Sequence, residues 1–249
     1  MRILSFETAT YSGGVAFVAP GLREAAGPFE PRTASREILA AADRMLQEHG
    51  CPPSALDLVA VSTGPGLFTG VRVGLSIAKT LVWSLGEGNG PALVAVPTLE
   101  AVASLILTRP EEVQPGDGVA AVTDARRGEI YAALFEVGKQ GDARVIRRLG
   151  EDIVVRPERL HARLFSSGEA RAKSHSPLWL VGDAVARYRQ ALEESLGERA
   201  RFLPNAGENL ALHVADLGRR RFEAGQRSRA EDVQPHYVRR PDARPPAIP

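Results

Sequence analysis

A chain of 249 residues, 44% hydrophobic and 24% charged, holds enough apolar material for one large core or two smaller ones. Its net charge of +1 excludes a generally basic nucleic-acid coat, so any RNA contact is confined to a local patch. The single Cys51 excludes an internal disulfide and fits a reducing cytoplasm; no stretch is apolar enough to cross a bilayer, since Pro97 and Glu100 interrupt residues 92–107, and Glu7 comes too early for a signal peptide.

In chain order, residues 3–6 and 15–18 read as strands joined by a polar turn with Thr10, Ser12 and Gly13-Gly14, a hairpin at the very start. Residues 35–47 form an amphipathic helix with Ile38, Leu39, Ala41, Ala42, Met45 and Leu46 on one face, stopped by Gly50 and Pro52. The apolar run 58–61 reads as a buried strand, residues 62–74 as a glycine loop, Ser-Thr-Gly-Pro-Gly-Leu-Phe-Thr-Gly-Val-Arg-Val-Gly, and residues 75–85 as a helix. Strand, glycine loop and helix are the grammar of a phosphate cradle, because glycine permits close backbone approach and a helix start presents unpaired N–H groups. The same residues also fit a tight turn without ligand. The loop lacks the Gly-Lys-Ser/Thr end of a Walker loop and the later acid of a dinucleotide fingerprint.

The helix after the loop carries Val71, Leu75, Ala78, Val82 and Leu85 on one stripe and Val73, Ile77 and Leu81 on another, so it is buried on more than one side. One side suits its own sheet. The other is covered by a neighbouring helix of the same chain, such as 35–47, or by a second subunit; we expect the subunit interface, made by Ile38, Leu39, Met45, Val71, Leu75, Ala78 and Val82.

A strand at 93–96 and a helix at 99–107 follow, and the polar segment 111–118, with Pro115 and Gly116, marks a domain boundary. Residues 119–123 and 129–136 form a second hairpin around Asp124-Ala125-Arg126-Arg127-Gly128, so the second half repeats the opening of the first in architecture, not in residues. Asp124 with Arg126 either orients a ligand or closes this hairpin as an ion pair. Strands at 145–148, 153–155 and 178–181, helices at 158–164 and 185–196, and a polar loop at 166–176 complete the second lobe. Asn205-Ala206-Gly207-Glu208 has capping-box character and opens a last helix through Phe222. The expected division is an N-terminal lobe at 1–110, a C-terminal lobe at 111–205, a terminal helix and tail packing back at 206–240, and a Pro-rich, disordered end at 241–249.

Chemistry is sparse in the residues. The five histidines, His49, His161, His175, His213 and His236, include no pair at metal-ligand spacing on a helix, and no nucleophile, base and orienter assemble from the spacing. Arg219, Arg220, Arg221, Arg227, Arg229, Arg239, Arg240 and Arg244 cluster late, as a solvated helix end or as a patch for nucleic-acid phosphates.

Gly64-Pro65-Gly66-Leu67-Phe68-Thr69-Gly70-Val71-Arg72-Val73-Gly74, followed by Ala78-Lys79, resembles the signature of the TsaB (YeaZ) family. Glu7-Thr8-Ala9-Thr10, residues 124–131 and Pro235-His236-Tyr237-Val238-Arg239 resemble it too, so the likeness runs nearly end to end. It implies an α/β fold of the actin-like ATPase (ASKHA, ribonuclease-H-like) class, with two similar lobes, each a mixed sheet with flanking helices. It further implies a cytoplasmic, noncatalytic but required subunit in tRNA threonylcarbamoyladenosine synthesis, which dimerises with a TsaD-like catalytic subunit, works with a TsaE-like ATPase, meets tRNA indirectly and forms a homodimer alone. In the superfamily the first hairpin faces nucleotide phosphates; Glu7, Thr8 and Thr10, with Gly64, Gly66, Thr69 and Gly70, are the positions that would do so here. Glu7 stands where an Asp is usual, which leaves open ATP or ADP with magnesium, bound weakly or at the partner interface. Leu67 departs from the small residue common in TsaB. Gly182-Asp183 resembles a worn adenosine-binding turn with Ala184 in place of glycine. The alternative from the enzyme class is a self-sufficient ATPase or phosphotransferase of the same fold.

Overall fold

The computed structural model describes residues 1–11, 13–29, 34–86, 90–166, 177–203 and 209–239. The first lobe starts as an antiparallel meander, β1 (Ile3–Glu7), β2 (Gly14–Ala19) and β3 (Leu22–Ala26). Helix α1 (Ala34–Glu48) then returns the chain to β4 (Leu58–Ser62), parallel to β1, and α2 (Phe68–Ser84) leads to β5 (Ala92–Val96), parallel to β4. The sheet order is β3-β2-β1-β4-β5. β1 and β4 are buried at every residue, the polar Ser5, Glu7 and Ser62 included, so neither shows the polar-apolar alternation of a half-exposed strand.

The second lobe repeats this plan. β6 (Gly118–Arg126), β7 (Glu129–Gln140) and β8 (Ala143–Arg148) form the meander, with β9 (Ile153–Val155) paired beside β7. Beyond α4 (Leu160–Leu164), β10 (Leu178–Val181) lies parallel to β6, and α5 (Ala184–Leu196) leads to β11 (Ala200–Phe202), parallel to β10. Counted within each lobe, both sheets run third, second, first, fourth, fifth strand, with β9 set aside. This is the two-lobed actin-like architecture that the motifs implied.

Two helices hold the lobes together. α3 (Thr98–Ser104) packs on β6, while α6 (Leu210–Glu223), from the far end of the chain, packs on β1, β2, β4 and β5. One continuous core therefore joins Ile3, Leu58 and Val94 of the first sheet to Val119, Ala121 and Phe135 of the second, through Val102, Ile106, Val214 and Leu217. α6 can lie this close because Gly218 has no side chain: a Cβ there would stand 2.6 Å from that of Ala60.

Several boundaries differ from expectation. α2 begins at Phe68, so residues 68–74 are helical rather than loop, their glycines notwithstanding. Helix 99–107 is split into α3 and a 3-10 turn at Leu105–Thr108, and α4 is preceded by a 3-10 turn at Pro157–Arg159. β3 and β11 carry no strong periodicity because they are short edge strands, half exposed. The capping box at 205–208 lies outside the described residues; the cap of α6 is Asn209, whose side chain accepts from the Ala211 N–H.

Candidate functional site

The carboxyl ends of β1, β4, β6 and β10 face one another where the lobes meet, the place where open α/β sheets present their functional groups. Glu7 closes β1 and is fully buried, not at an exposed strand edge. Its Oε1 accepts from the Ala9 N–H at 2.7 Å, the Thr10 N–H at 3.2 Å and Ser62 Oγ at 3.3 Å, while Oε2 accepts from Thr10 Oγ1 at 2.8 Å. Burial pushes its carboxyl from an ordinary 4.5 up to about 7, against the pull of the Thr10 and Ala9 hydrogen bonds and with the help of the negative Asp183 nearby. Glu7 thus holds its proton to higher pH than an ordinary carboxyl, and its oxygens are already engaged by its own turn and Ser62.

The glycine loop is filled by the same turn. A Cβ on Gly66 would stand 2.2 Å from the Ala9 carbonyl oxygen, one on Gly70 1.9 Å from that of Thr8, and one on Gly74 2.3 Å from Thr8 Oγ1. The Leu67 N–H donates to the Ala9 carbonyl at 2.7 Å and Thr8 Oγ1 to the Gly70 carbonyl at 2.7 Å. Gly66 just ahead of α2, and Gly70 and Gly74 along one side of it, therefore admit residues 8–9 against the helix start. Gly64, at φ +98°, faces the His236 carbonyl, and its N–H donates to Thr98 Oγ1 at 2.9 Å. Of the residues expected at a nucleotide phosphate, Glu7, Thr8, Thr10, Gly64, Gly66 and Gly70 are brought together here, and Thr69 is exposed on the first turn of α2.

Across the boundary, Asp183 bridges the lobes. Its Oδ2 accepts from the Tyr11 N–H of the first lobe at 3.3 Å and its Oδ1 from the Asp124 N–H of the second at 3.1 Å. Burial pushes its carboxyl up. It follows Gly182, at φ +127°, where a Cβ would meet the Val122 carbonyl oxygen at 2.0 Å, so only glycine lets the chain turn this tightly against β6. Asp124 and Arg126 do not form an ion pair through their side chains. The Arg126 backbone N–H donates to Asp124 Oδ1 at 2.8 Å, and the guanidinium on Asp124 is that of Arg187, at 2.7 Å, with Tyr188 Oη donating at 3.2 Å. Arg126, at φ +61°, lays its guanidinium over the Tyr11 ring, 5.7 Å from the centroid. Tyr11 and Arg187 carry no local pattern that separates them from solvated surface residues, whereas Tyr188 shares the inward stripe of 185–196 with Val185, Leu192 and Leu196 and packs against the core.

The expected interface residues fall elsewhere. Ile38, Met45, Val71, Leu75, Ala78 and Val82 are each under a tenth exposed and form the core beneath α1 and α2, against β1, β2 and β4. Only Leu39, 52% exposed, lies at the surface; Trp83, 73%, and Phe68, 48%, are the large apolar side chains that α2 turns outward. The stripe taken for a subunit contact is the stripe that faces the chain's own sheet.

The late arginines are mostly spent within the chain. Arg221 pairs with Glu100 at 2.5 Å, Arg229 with Glu231 at 2.5 Å, Arg219 with Asp216 at 4.0 Å and Arg239 with Glu129, while Arg227 lies over the Phe222 ring. Arg240 and Arg244 lie outside the described residues. No helix among the described residues is long and apolar enough to cross a membrane.

The TsaB protein of Bacillus subtilis, a "tRNA threonylcarbamoyladenosine biosynthesis protein", is 28% identical over 251 residues, 98% of this chain and 96% of that one. The tRNA N6-adenosine threonylcarbamoyltransferase of Thermus thermophilus is 37% identical over 101 residues, but those cover 34% of this chain and 31% of that protein. YeaZ from Pseudomonas aeruginosa shares the fold, with a TM-score of 0.75 at 24% identity over 95% of this chain and 99% of that one. The family model described as "TsaD: tRNA N6-adenosine threonylcarbamoyltransferase" matches residues 24–245. With two lobes of actin-like topology, a full-length likeness to TsaB proteins and a family match over most of its length, the chain belongs to the TsaD family.

Proposed function

We propose that this chain is a noncatalytic, required subunit of the complex that transfers the threonylcarbamoyl group to the anticodon-adjacent adenosine of tRNA, and that it acts by dimerising with a TsaD-like catalytic subunit. The single observation behind this is how the polar groups between the lobes are used. Both Glu7 oxygens accept from the chain's own turn, and Gly66, Gly70 and Gly74 pack against Thr8 and Ala9. Where a catalytic or phosphate-binding centre needs open donors and acceptors, these are engaged. The lack of two histidines four apart on a helix and the full-length likeness to TsaB proteins support the same conclusion.

The docking face belongs to the outer side of α1 and α2, where Leu39 and Trp83 stand exposed. The TsaE-like ATPase joins the pair, tRNA is met indirectly, the lone protein self-pairs as a homodimer, and the assembly works in the cytoplasm. Size-exclusion chromatography with light scattering, on the chain alone and mixed with the TsaD-like protein of the same organism, tests this. A homodimer converting to a one-to-one heterodimer is expected, with at least tenfold weaker pairing for Leu39→Asp combined with Trp83→Ser. A chain that ignores the TsaD-like protein at micromolar concentration would overturn the proposal. Substituting Leu75 or Val82 would not test it, since burying an Asp there attacks the core itself.

A further inference from the structure

The segment after α6 does not end on the lobe that α6 covers. Ser228 pairs with Leu93 beside β5, its N–H donating to the Leu93 carbonyl at 2.8 Å, and Ala230 and Val233 enter the first lobe's core. Lys79 Nζ of α2 donates to the Val233 carbonyl at 3.0 Å. The His236 N–H donates to the Thr63 carbonyl at 2.8 Å, and the His236 carbonyl lies 2.8 Å from where a Gly64 Cβ would stand. Tyr237 stacks on Phe68, ring centroids 5.2 Å apart, and accepts from Arg72 Nε at 2.8 Å, while the Arg72 guanidinium covers the Phe68 ring at 3.9 Å. The next contacts belong to the other lobe. His236 Nε2 meets Asp152, ahead of β9, at 3.0 Å; Arg239 donates to the Ala125 carbonyl at 2.9 Å and pairs with Glu129 across the β6–β7 hairpin.

We infer that residues 228–239 are an intramolecular clamp, docked on the glycine loop and α2 of the first lobe and holding the β6–β7 hairpin and β9 of the second against it. Gly64 is the dock: at φ +98° and without a side chain, it admits the His236 backbone, so what this loop receives from outside is the chain's own carboxy-terminal segment. The clamp and the Asp183 bridge are separate links between the lobes. The first crosses at Thr63, Asp152 and Ala125, the second at Tyr11 and Asp124. Both hold hairpin β6–β7, so freeing one transfers load to the other. Release of the clamp therefore loosens the Asp183 bridge between the lobes without unfolding either sheet.

Residue-resolved amide hydrogen exchange on the full chain tests this, with Tyr237→Ala combined with Arg239→Ala. Both side chains are outside the cores, and a retained unfolding midpoint within a few degrees confirms that the variant folds. The clamp predicts at least tenfold faster exchange at His236 and, in the same variant, at Tyr11 and Asp124, whose amides report the Asp183 bridge. Faster exchange at His236 with Tyr11 and Asp124 unchanged would show a tail that decorates the surface without clamping it. A His236 amide already unprotected in the unaltered chain would overturn the docking itself. Gly64→Ala, if folded, is expected to free His236 as fully as the double variant; a His236 amide still protected there would remove Gly64 as the dock.

Discussion

The two lobes share one strand order, yet their strand ends are finished in opposite ways. In the first, the end of β1 is dry: Glu7 is fully buried, and the turn at Thr8–Thr10 and the glycines of α2 close over it. In the second, Asp124 at the end of β6 is buried too, but its cationic partner reaches the surface: the Arg187 guanidinium that holds it is 63% exposed, and Tyr188 donates beside it. The same topology thus carries a carboxylate closed over by its own turn on one side and, on the other, a buried carboxylate whose guanidinium partner is open to water. Duplicated architecture does not imply duplicated chemistry, because strand order fixes where side chains converge but not whether water reaches them.

Four substitutions sharpen that contrast. The largest effect is expected at Gly70→Ala, where the added methyl meets the Thr8 carbonyl oxygen at 1.9 Å; backbone on both sides must move, and we expect a loss of about 3 kcal/mol or more in chemical denaturation. Gly128→Ala at the second hairpin, in open space but at φ +75°, should lose only about 1 kcal/mol, from backbone conformation alone. Equal losses at the two positions would mean that the close fit around Gly70 is not what restricts it.

Glu7 comes next. Its carboxyl binds a proton more tightly folded, at about 7, than at the ordinary 4.5, so folding takes up protons between those values. Its destabilising contribution is absent below about 4.5, grows as pH rises through 7 and is constant above, reaching about 3 kcal/mol. Asp183, also raised, acts in the same direction. Urea midpoints measured from pH 4.5 to 8 should fall with rising pH, and Glu7→Gln should flatten most of that slope. A slope unchanged by Glu7→Gln would place the proton uptake on another group.

The smallest effect belongs to Arg187. Arg187→Ala removes a largely exposed guanidinium from Asp124, which keeps the Arg126 N–H and Tyr188 Oη. We expect about 1 kcal/mol or less, shrinking in 1 M salt, as is usual for ion pairs open to water. A loss of several kcal/mol insensitive to salt would mean that water does not screen the pair through its exposed guanidinium.

Much of this was legible in the chain. The runs at 3–6, 58–61 and 178–181 had to be strands, since short apolar segments bounded by turn residues have few other stable uses, and the two hairpins and flanking helices then led to two similar lobes. The motif at 64–74 carried the family. Burial direction was less legible: α2 is apolar on two stripes, and periodicity shows that Leu75 and Val82 share a stripe without showing whether it meets its own sheet or a partner. Local pattern also paired Asp124 with Arg126 two residues away, whereas the guanidinium that reaches it comes from Arg187, 63 residues on.

The sequence by itself determined the elements, their order, the class of fold and the family, because these follow from periodicity, turn residues and a glycine-bearing motif, all local in the chain. Only the tertiary structure decided what fills the glycine loop, that Glu7 is held by its own turn and the buried Asp124 by an exposed guanidinium, that Asp183 ties the lobes, and that the carboxy-terminal segment crosses between them. Each of these is a contact between residues far apart in sequence. Its energy depends on distance, exposure to water and the shape of the surrounding backbone, none of which local pattern records.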